Sequence, residues 1–123
     1  MLAQLMKKPQ SNPGYVVVQG AVIFASADQS RGFVNDQVTQ WRTCAGRSVT
    51  QVNGGTISEW TFREISGNPP NIALQHTLAN SPVVCQHVLS AVSNVVPDVN
   101  FCAPGIINEA RLIANQMATK IPG

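Results

Sequence analysis

The stretch CQHVLSAVSNVVPDVNFC, residues 85–102, organises the fold of this 123-residue chain. It contains two runs of strand-forming residues, one on each side of the dipeptide Ser93-Asn94. The pattern predicts a β-hairpin that reverses at the dipeptide and brings its two ends together. A disulfide between Cys85 and Cys102 can then close a loop of about seventeen residues and stabilise the fold by roughly 3 kcal/mol. Two reduced, buried thiols are the alternative at these positions.

Other stretches rich in β-branched and aromatic residues predict further strands. They are residues 15–24, 48–52, 56–65 and 72–78. The turn sequence Asn53-Gly54-Gly55 joins the second and third of these stretches into a hairpin. In the second strand of that hairpin, Trp60 and Phe62 alternate with polar residues, which predicts one buried and one exposed face.

Two stretches have helical periodicity. The first begins near Ser26 and ends at Gly46, and its apolar residues recur at helical spacing. They are Phe33, Val34, Val38, Trp41 and Cys44. The second follows Cys102, with Pro104 expected in its first turn. Its apolar stripe consists of Ile107, Ala110, Ala114, Met117 and Ile121.

The order of these elements predicts an α+β fold, an antiparallel twisted sheet with two amphipathic helices packed on it. Residues 15–123 form one domain in this interpretation. Residues 1–14 contain Pro9, the turn sequence Asn12-Pro13-Gly14 and two lysines, so they predict a flexible N-terminal arm.

Composition excludes several classes of protein. Net charge is only +2, and the eight basic residues are scattered, so we expect no nucleic-acid partner. About eighteen consecutive apolar residues occur nowhere, so we expect no membrane span. The N-terminal apolar run is too short for a signal peptide, and its lysines follow it. The cysteine and histidine spacing matches no zinc motif, so we expect no metal and no cofactor.

The hairpin resembles the C-terminal part of the PknH-like extracellular domain, a family with a Cys-Gln-Arg-Ala-Leu strand followed by Asn-Val-Val-x-Asp-Val-x-x-Cys. His87 replaces the family's usual arginine, and Pro97 interrupts the second strand. The resemblance extends over roughly residues 15–123 and includes a strand, a helix and Trp-x-x-Cys. The residues that match the hairpin motif are Cys85, Gln86, Leu89, Asn94, Val95, Val96, Asp98, Val99 and Cys102.

The resemblance implies a non-enzymatic, extracytoplasmic sensor domain of the kind found in mycobacterial serine/threonine kinases and envelope lipoproteins. It implies an unidentified small-molecule or envelope ligand, bound in a cleft on the sheet. It also implies that the family's N-terminal portion, with a partner for Cys44, is absent from this chain. We therefore expect Cys44 to be unpaired or bonded between chains, and a sheet edge to be exposed for homodimer formation.

The candidate ligand-binding residues are Gln86, His87, Asn94 and Asp98. Because side chains alternate along a strand, Gln86 and His87 lie on opposite faces, and only one of them can reach a groove on the sheet. Asn94 is also a natural turn residue.

Two other functions stay open from the residues themselves. The first is a small secreted hydrolase that uses His87, Asp98 and a serine, with Ser90 and Ser93 close in sequence, although no nucleophile-elbow motif is present. The second is a structural interaction fragment with no ligand.

Overall fold

Within residues 3–12, 15–105 and 108–121, which this computed structural model describes, the chain forms seven strands and two helices. The strands are all antiparallel, in the order β1-β2-β7-β6-β5-β4-β3. The α+β class predicted from the sequence is confirmed. The elements are β1 (Ala3–Asn12), β2 (Tyr15–Phe24), α1 (Ala27–Cys44), β3 (Ser48–Asn53), β4 (Thr56–Asn68), β5 (Asn71–Leu78), β6 (Val83–Ser90), β7 (Val95–Pro104) and α2 (Glu109–Ala118).

The N-terminal segment is the main departure from the predicted secondary structure. Residues predicted as a flexible arm form β1, which pairs with β2 from Ala3↔Phe24 to Asn12↔Tyr15. Main-chain hydrogen bonds make this pairing, and they need no particular side-chain pattern. Pro9 is compatible with β1 because β1 lies at the edge of the sheet, where a missing N–H can face outward. The predicted turn at residues 13–14 lies outside the described residues.

The β6–β7 hairpin forms as predicted, with Ser93 at its turn in the left-handed region, at φ 55°. Cys85 and Cys102 are direct cross-strand partners and are joined by a disulfide. Pro97 does not interrupt β7, because the ladder with β6 ends at Asp98 while pairing with β2 continues past the proline. No hydrogen bond to β6 is therefore required from Pro97.

Helix α1 covers one face of the sheet. Ser26 caps its N-terminus, since its side chain accepts a hydrogen bond from the main-chain N–H of Gln29. Gly46, at φ 80°, lies beyond its end, and the Gly46 N–H donates to the carbonyl of Phe62. The buried residues on this face form one core cluster, as the apolar stripe of the helix predicted. They are Phe24, Val34, Val38, Trp41, Ile72, Leu74, Leu89 and Val96.

Helix α2 covers the opposite face, so the sheet lies between the two helices. Ala110 and Ala114 are buried against the sheet, and Met117 packs beside them. The helix begins later than predicted, because Pro104 is the last residue of β7 and α2 starts at Glu109. Residues 106–107, including one member of the predicted stripe, lie outside the described residues.

The β3–β4 hairpin turns through Gly54 and Gly55, at φ 59° and 87°. A two-residue turn with positive φ at both positions matches the twist of the strands and favours glycine. Farther along β4, the register against β5 shifts between Phe62 and Ile65. This irregularity brings Phe62 and Ile65 to the same face despite their odd spacing, and both pack against the core under α1.

Among the described residues, neither helix combines the length and hydropathy that a membrane crossing requires.

Removing the disulfide tests its contribution to this fold. The double substitution Cys85→Ala and Cys102→Ala should lower the free energy of unfolding by about 3 kcal/mol, because the unfolded chain regains the entropy of the closed loop. Denaturant titration measures this change. Cys44→Ala is the matched control, since Cys44 is a free thiol and half-buried. An equal loss in the control would contradict the assignment of stability to the disulfide.

Candidate functional site

A cleft of about 420 Å³ opens on the face of the sheet that α1 covers. It is built from β3 to β7, and no residue of α1 lines it. This volume lies in the range of small-molecule binding sites. The lining residues are Val49, Gln51, Trp60, Phe62, His76, Cys85, Asn100 and Cys102.

The strand register explains why these side chains meet. Phe62 pairs with His76, His76 with Cys85, and Cys85 with Cys102. Cross-strand partners share a face of the sheet, so the four side chains form one row across β4 to β7. Asn100, two residues before Cys102, lies on the same face because side chains alternate.

Aromatic rings form one wall of the cleft. The Trp60 ring lies edge-on to the His76 ring, with 5.2 Å between centroids, and the Phe62 ring centroid is 5.7 Å from that of His76. Trp60 Nε1 donates a hydrogen bond to Gln51 Oε1 at 3.0 Å. This bond orients the indole ring. Gln51 accepts through Oε1, so its amide NH₂ group points away from the indole.

His76 is neutral at physiological pH. Burial lowers the pKa of His76 from 6.5 to about 4, and electrostatic repulsion from His87 is the second cause. The His76 Nδ1 atom is buried and has no hydrogen-bond partner. Because the other lining residues are apolar, amide or disulfide-bonded, the cleft presents no charged group at neutral pH.

His87 and Asp98, two of the predicted site residues, lie together on the same face as the cleft. His87 Nε2 and Asp98 Oδ1 are 2.7 Å apart, and both side chains are partly buried. The Trp41 ring of α1 covers His87, with 5.0 Å between ring centroids. Asn100, which lines the cleft, is the cross-strand partner of His87, so the pair lies next to the cleft.

The other two predicted site residues lie elsewhere. Gln86 is buried on the face that α2 covers, opposite His87, as the alternation of side chains requires. Asn94 stands at the β6–β7 turn, where its side-chain amide donates to the carbonyl of Phe24 at 2.9 Å. Asn94 therefore ties the turn to the end of β2 and does not line the cleft.

The serines suggested for a hydrolase are not next to His87. Ser90 lies on the opposite face of β6 and donates a hydrogen bond to the side chain of Asn71. Ser93 is at the turn, where its carbonyl accepts a hydrogen bond from Ser30 Oγ at 2.6 Å. The structure does not assemble a Ser-His-Asp arrangement from these residues.

The fold also builds a cluster that sequence spacing did not show. The possible ligand atoms of His76, Cys85 and Cys102 all lie within 4.8 Å of one another. In the disulfide both sulfurs are bonded to each other, so neither is a thiolate ligand. Cys44 is the free cysteine of the described residues and lies at the end of α1.

Most of the cleft was not predictable from the sequence. Alternation predicted that Trp60 and Phe62 share a face, and both are half-buried there. Their meeting with His76 depends on the β4–β5 register, which no local signal specifies. Gln51 and Asn100 gave no signal, because amides are common on strands and loops alike.

The chain is similar to known proteins over nearly its whole length. A model of the family described as PknH-like extracellular domain matches residues 1–120. The serine/threonine-protein kinases PknH of Mycobacterium bovis and Mycobacterium tuberculosis are each 36% identical over 95% of this chain. The chain spans only 20% and 19% of the length of these kinases.

A solved structure gives the same result for the fold. The crystal structure of the extracellular domain of PknH from Mycobacterium tuberculosis superposes with a TM-score of 0.83 at 36% sequence identity. The similarity covers 94% of this chain and 60% of that one.

The lowered pKa of His76 predicts a pH-dependent stability. A histidine with a pKa of about 4 in the fold and 6.5 when unfolded binds more protons in the unfolded state between these values. Its contribution is therefore present above pH 6.5 and is lost as the pH falls towards 4. Denaturant unfolding between pH 4 and pH 8 should show this loss in the wild type, and a weaker pH dependence in His76→Phe. Parallel curves for the two proteins would contradict the assignment.

Proposed function

This chain belongs to the PknH-like extracellular domain family, and on that premise we propose that it is a non-enzymatic sensor domain that binds a small uncharged ligand in the cleft. The observation that supports this most is the uncharged lining with aromatic walls on the sheet face. In a longer protein of the relatives' kind, occupancy of the cleft would be the input to the kinase.

The absence of charge in the lining favours an uncharged ligand. A phosphate or carboxylate buried in the cleft would lose its hydration without gaining an opposite charge, which is unfavourable. His76 cannot supply a positive charge at neutral pH, because burial keeps it unprotonated. A ligand with a flat apolar face, such as a sugar ring or an aromatic ring, would pack against Trp60 and Phe62.

The amides of the cleft favour a ligand with hydrogen-bond acceptors. Gln51 Oε1 already accepts from Trp60, so the Gln51 amide nitrogen is the group left to donate. Asn100 also lines the cleft, and because its Oδ1 is buried, its amide nitrogen is the second donor that we assign to a ligand. Hydroxyl, ether and carbonyl oxygens would accept from these donors.

The same geometry supports the non-enzymatic part of the proposal. The His87–Asp98 pair resembles the base and orienting acid of a hydrolase, but the two serines that could have completed it lie on the other face and at the turn. The pair also packs beneath Trp41, and we therefore assign the pair a structural role.

An extracytoplasmic location is part of the proposal. It is supported by the family's description as an extracellular domain and by the Cys85–Cys102 disulfide. Disulfides persist in oxidising compartments and are rare in the cytosol.

Nuclear magnetic resonance can test ligand binding in the cleft. A panel of uncharged mono- and disaccharides and aromatic amides should shift the main-chain amide signals of Trp60, His76 and Asn100, whereas phosphorylated counterparts should not. Trp60→Ala should weaken any such binding about tenfold or more, since aromatic anchors carry much of the affinity. Leu112→Ala, an exposed site on α2, is the control. Shifts confined to other surfaces, or a preference for the phosphorylated compounds, would contradict the proposal.

A second interaction is favoured by a different feature, the edge strand β3. Many proteins block edge-to-edge pairing with charged residues or proline on the edge strand. Residues Ser48–Asn53 contain neither. Val52 and its cross-strand partner Ile57 are 70% and 73% exposed. We propose that β3 pairs antiparallel with β3 of a second copy, which would make a symmetric dimer with one continuous sheet.

A lysine at the edge tests the proposed dimer. Val52→Lys should raise the dimer dissociation constant at least tenfold, because two like charges would meet near the symmetric junction. Sedimentation equilibrium over a range of protein concentrations measures this. Leu112→Lys places the same charge at an exposed site far from β3 and should have no effect. A wild-type chain that stays monomeric throughout, or an equal effect of both lysines, would contradict the dimer.

A further inference from the structure

The row of side chains at the bottom of the cleft has the composition of a metal site. His76, Cys85 and Cys102 lie side by side on β5, β6 and β7 as direct register partners. We call these three residues the cystine–histidine cluster. Their candidate ligand atoms all lie within 4.8 Å of one another.

His76 is prepared to act as a ligand. A metal-binding imidazole must be neutral and must have a free ring nitrogen. His76 Nδ1 has no hydrogen-bond partner, and the rings of Trp60 and Phe62 hold the imidazole in place.

We propose that the cystine–histidine cluster becomes a Zn²⁺ site when a dithiol reduces the disulfide. The dithiol supplies two electrons and two protons, its own sulfurs form a disulfide, and the Cys85–Cys102 bond breaks to give two thiols. Zn²⁺ then binds the two sulfurs as thiolates, releasing both protons, and binds one nitrogen of His76. Two thiolates and one imidazole are a donor set that zinc prefers.

The geometry requires only local movement. Zinc–sulfur bonds of about 2.3 Å and zinc–nitrogen bonds of about 2.0 Å place tetrahedral ligand atoms roughly 3.5 Å apart. The ligand atoms already lie within 4.8 Å of one another, so the site would form by separation of the two sulfurs and rotation of the three side chains. The cleft lies directly against the cluster, which provides the entry path and leaves a fourth position for water. The disulfide and the zinc complex would thus be two alternative cross-links at one place in the sheet.

Zinc binding should be measured on the full chain carrying Cys44→Ser, which removes the thiol outside the cluster. After anaerobic reduction with a phosphine and desalting, we expect one equivalent of Zn²⁺, measured by competition with a chromophoric chelator. Co²⁺ in place of zinc should give thiolate-to-cobalt charge-transfer absorption. The oxidised chain should bind neither ion at this site. His76→Phe should weaken zinc binding at least tenfold, whereas His87→Phe, the other histidine on this face, should leave it unchanged.

Zinc binding can also be measured through stability, even if the reduced chain is less stable than the oxidised chain. Zinc that binds only the folded reduced chain raises its melting temperature or refolds it. This shift should occur in the reduced wild type and be much smaller in His76→Phe. A reduced chain that zinc neither binds nor stabilises, whether folded or unfolded, would overturn the proposal. Equal zinc affinity in His76→Phe would also overturn it, because the site would then consist of the two thiols alone.

Discussion

The direct cross-strand contact between Cys85 and Cys102 is the constraint on which the rest of the structure depends. A disulfide between register partners prevents β6 from slipping against β7, and a slip of one residue would turn every side chain to the other face. The fixed pair places the apolar residues of β6 and β7 under α1 on one face and under α2 on the other. His76 and the aromatic wall lie beside the two sulfurs, so the position of the cleft also depends on this disulfide.

One sheet face has two parts that differ in burial. Helix α1 covers the part that contains the core cluster around Val34 and Val38. The remaining part has no helix over it among the described residues, and the half-buried aromatic and amide side chains there form the cleft. His87 stands at the boundary, with Trp41 above it and Asp98 beside it. A buried core and an open cleft thus share the same strands.

The sequence predicted the features that depend on local pattern. The hairpin, its disulfide and helix α1 followed from alternation, helical periodicity and turn residues within short stretches. The cleft did not follow, because Trp60 reaches His76 only through a register shifted between Phe62 and Ile65. Strand β1 was missed for another reason, since main-chain pairing to β2 leaves little trace in side-chain pattern. The cystine–histidine cluster was not predicted either, because its residues lie on three different strands and no local sequence pattern specifies contacts between strands.

The strand order has a consequence for how the chain folds. Strands β3 to β7 follow one another in both sequence and sheet order, so each pairing there closes only a short loop. The contact between β2 and β7 is different, because partners such as Val22 and Val96 are about seventy residues apart. Closing such a loop has the largest entropic cost in the sheet. Non-local pairing of this kind slows folding, so the rate at which this domain forms depends on how readily the β1–β2 hairpin finds β7.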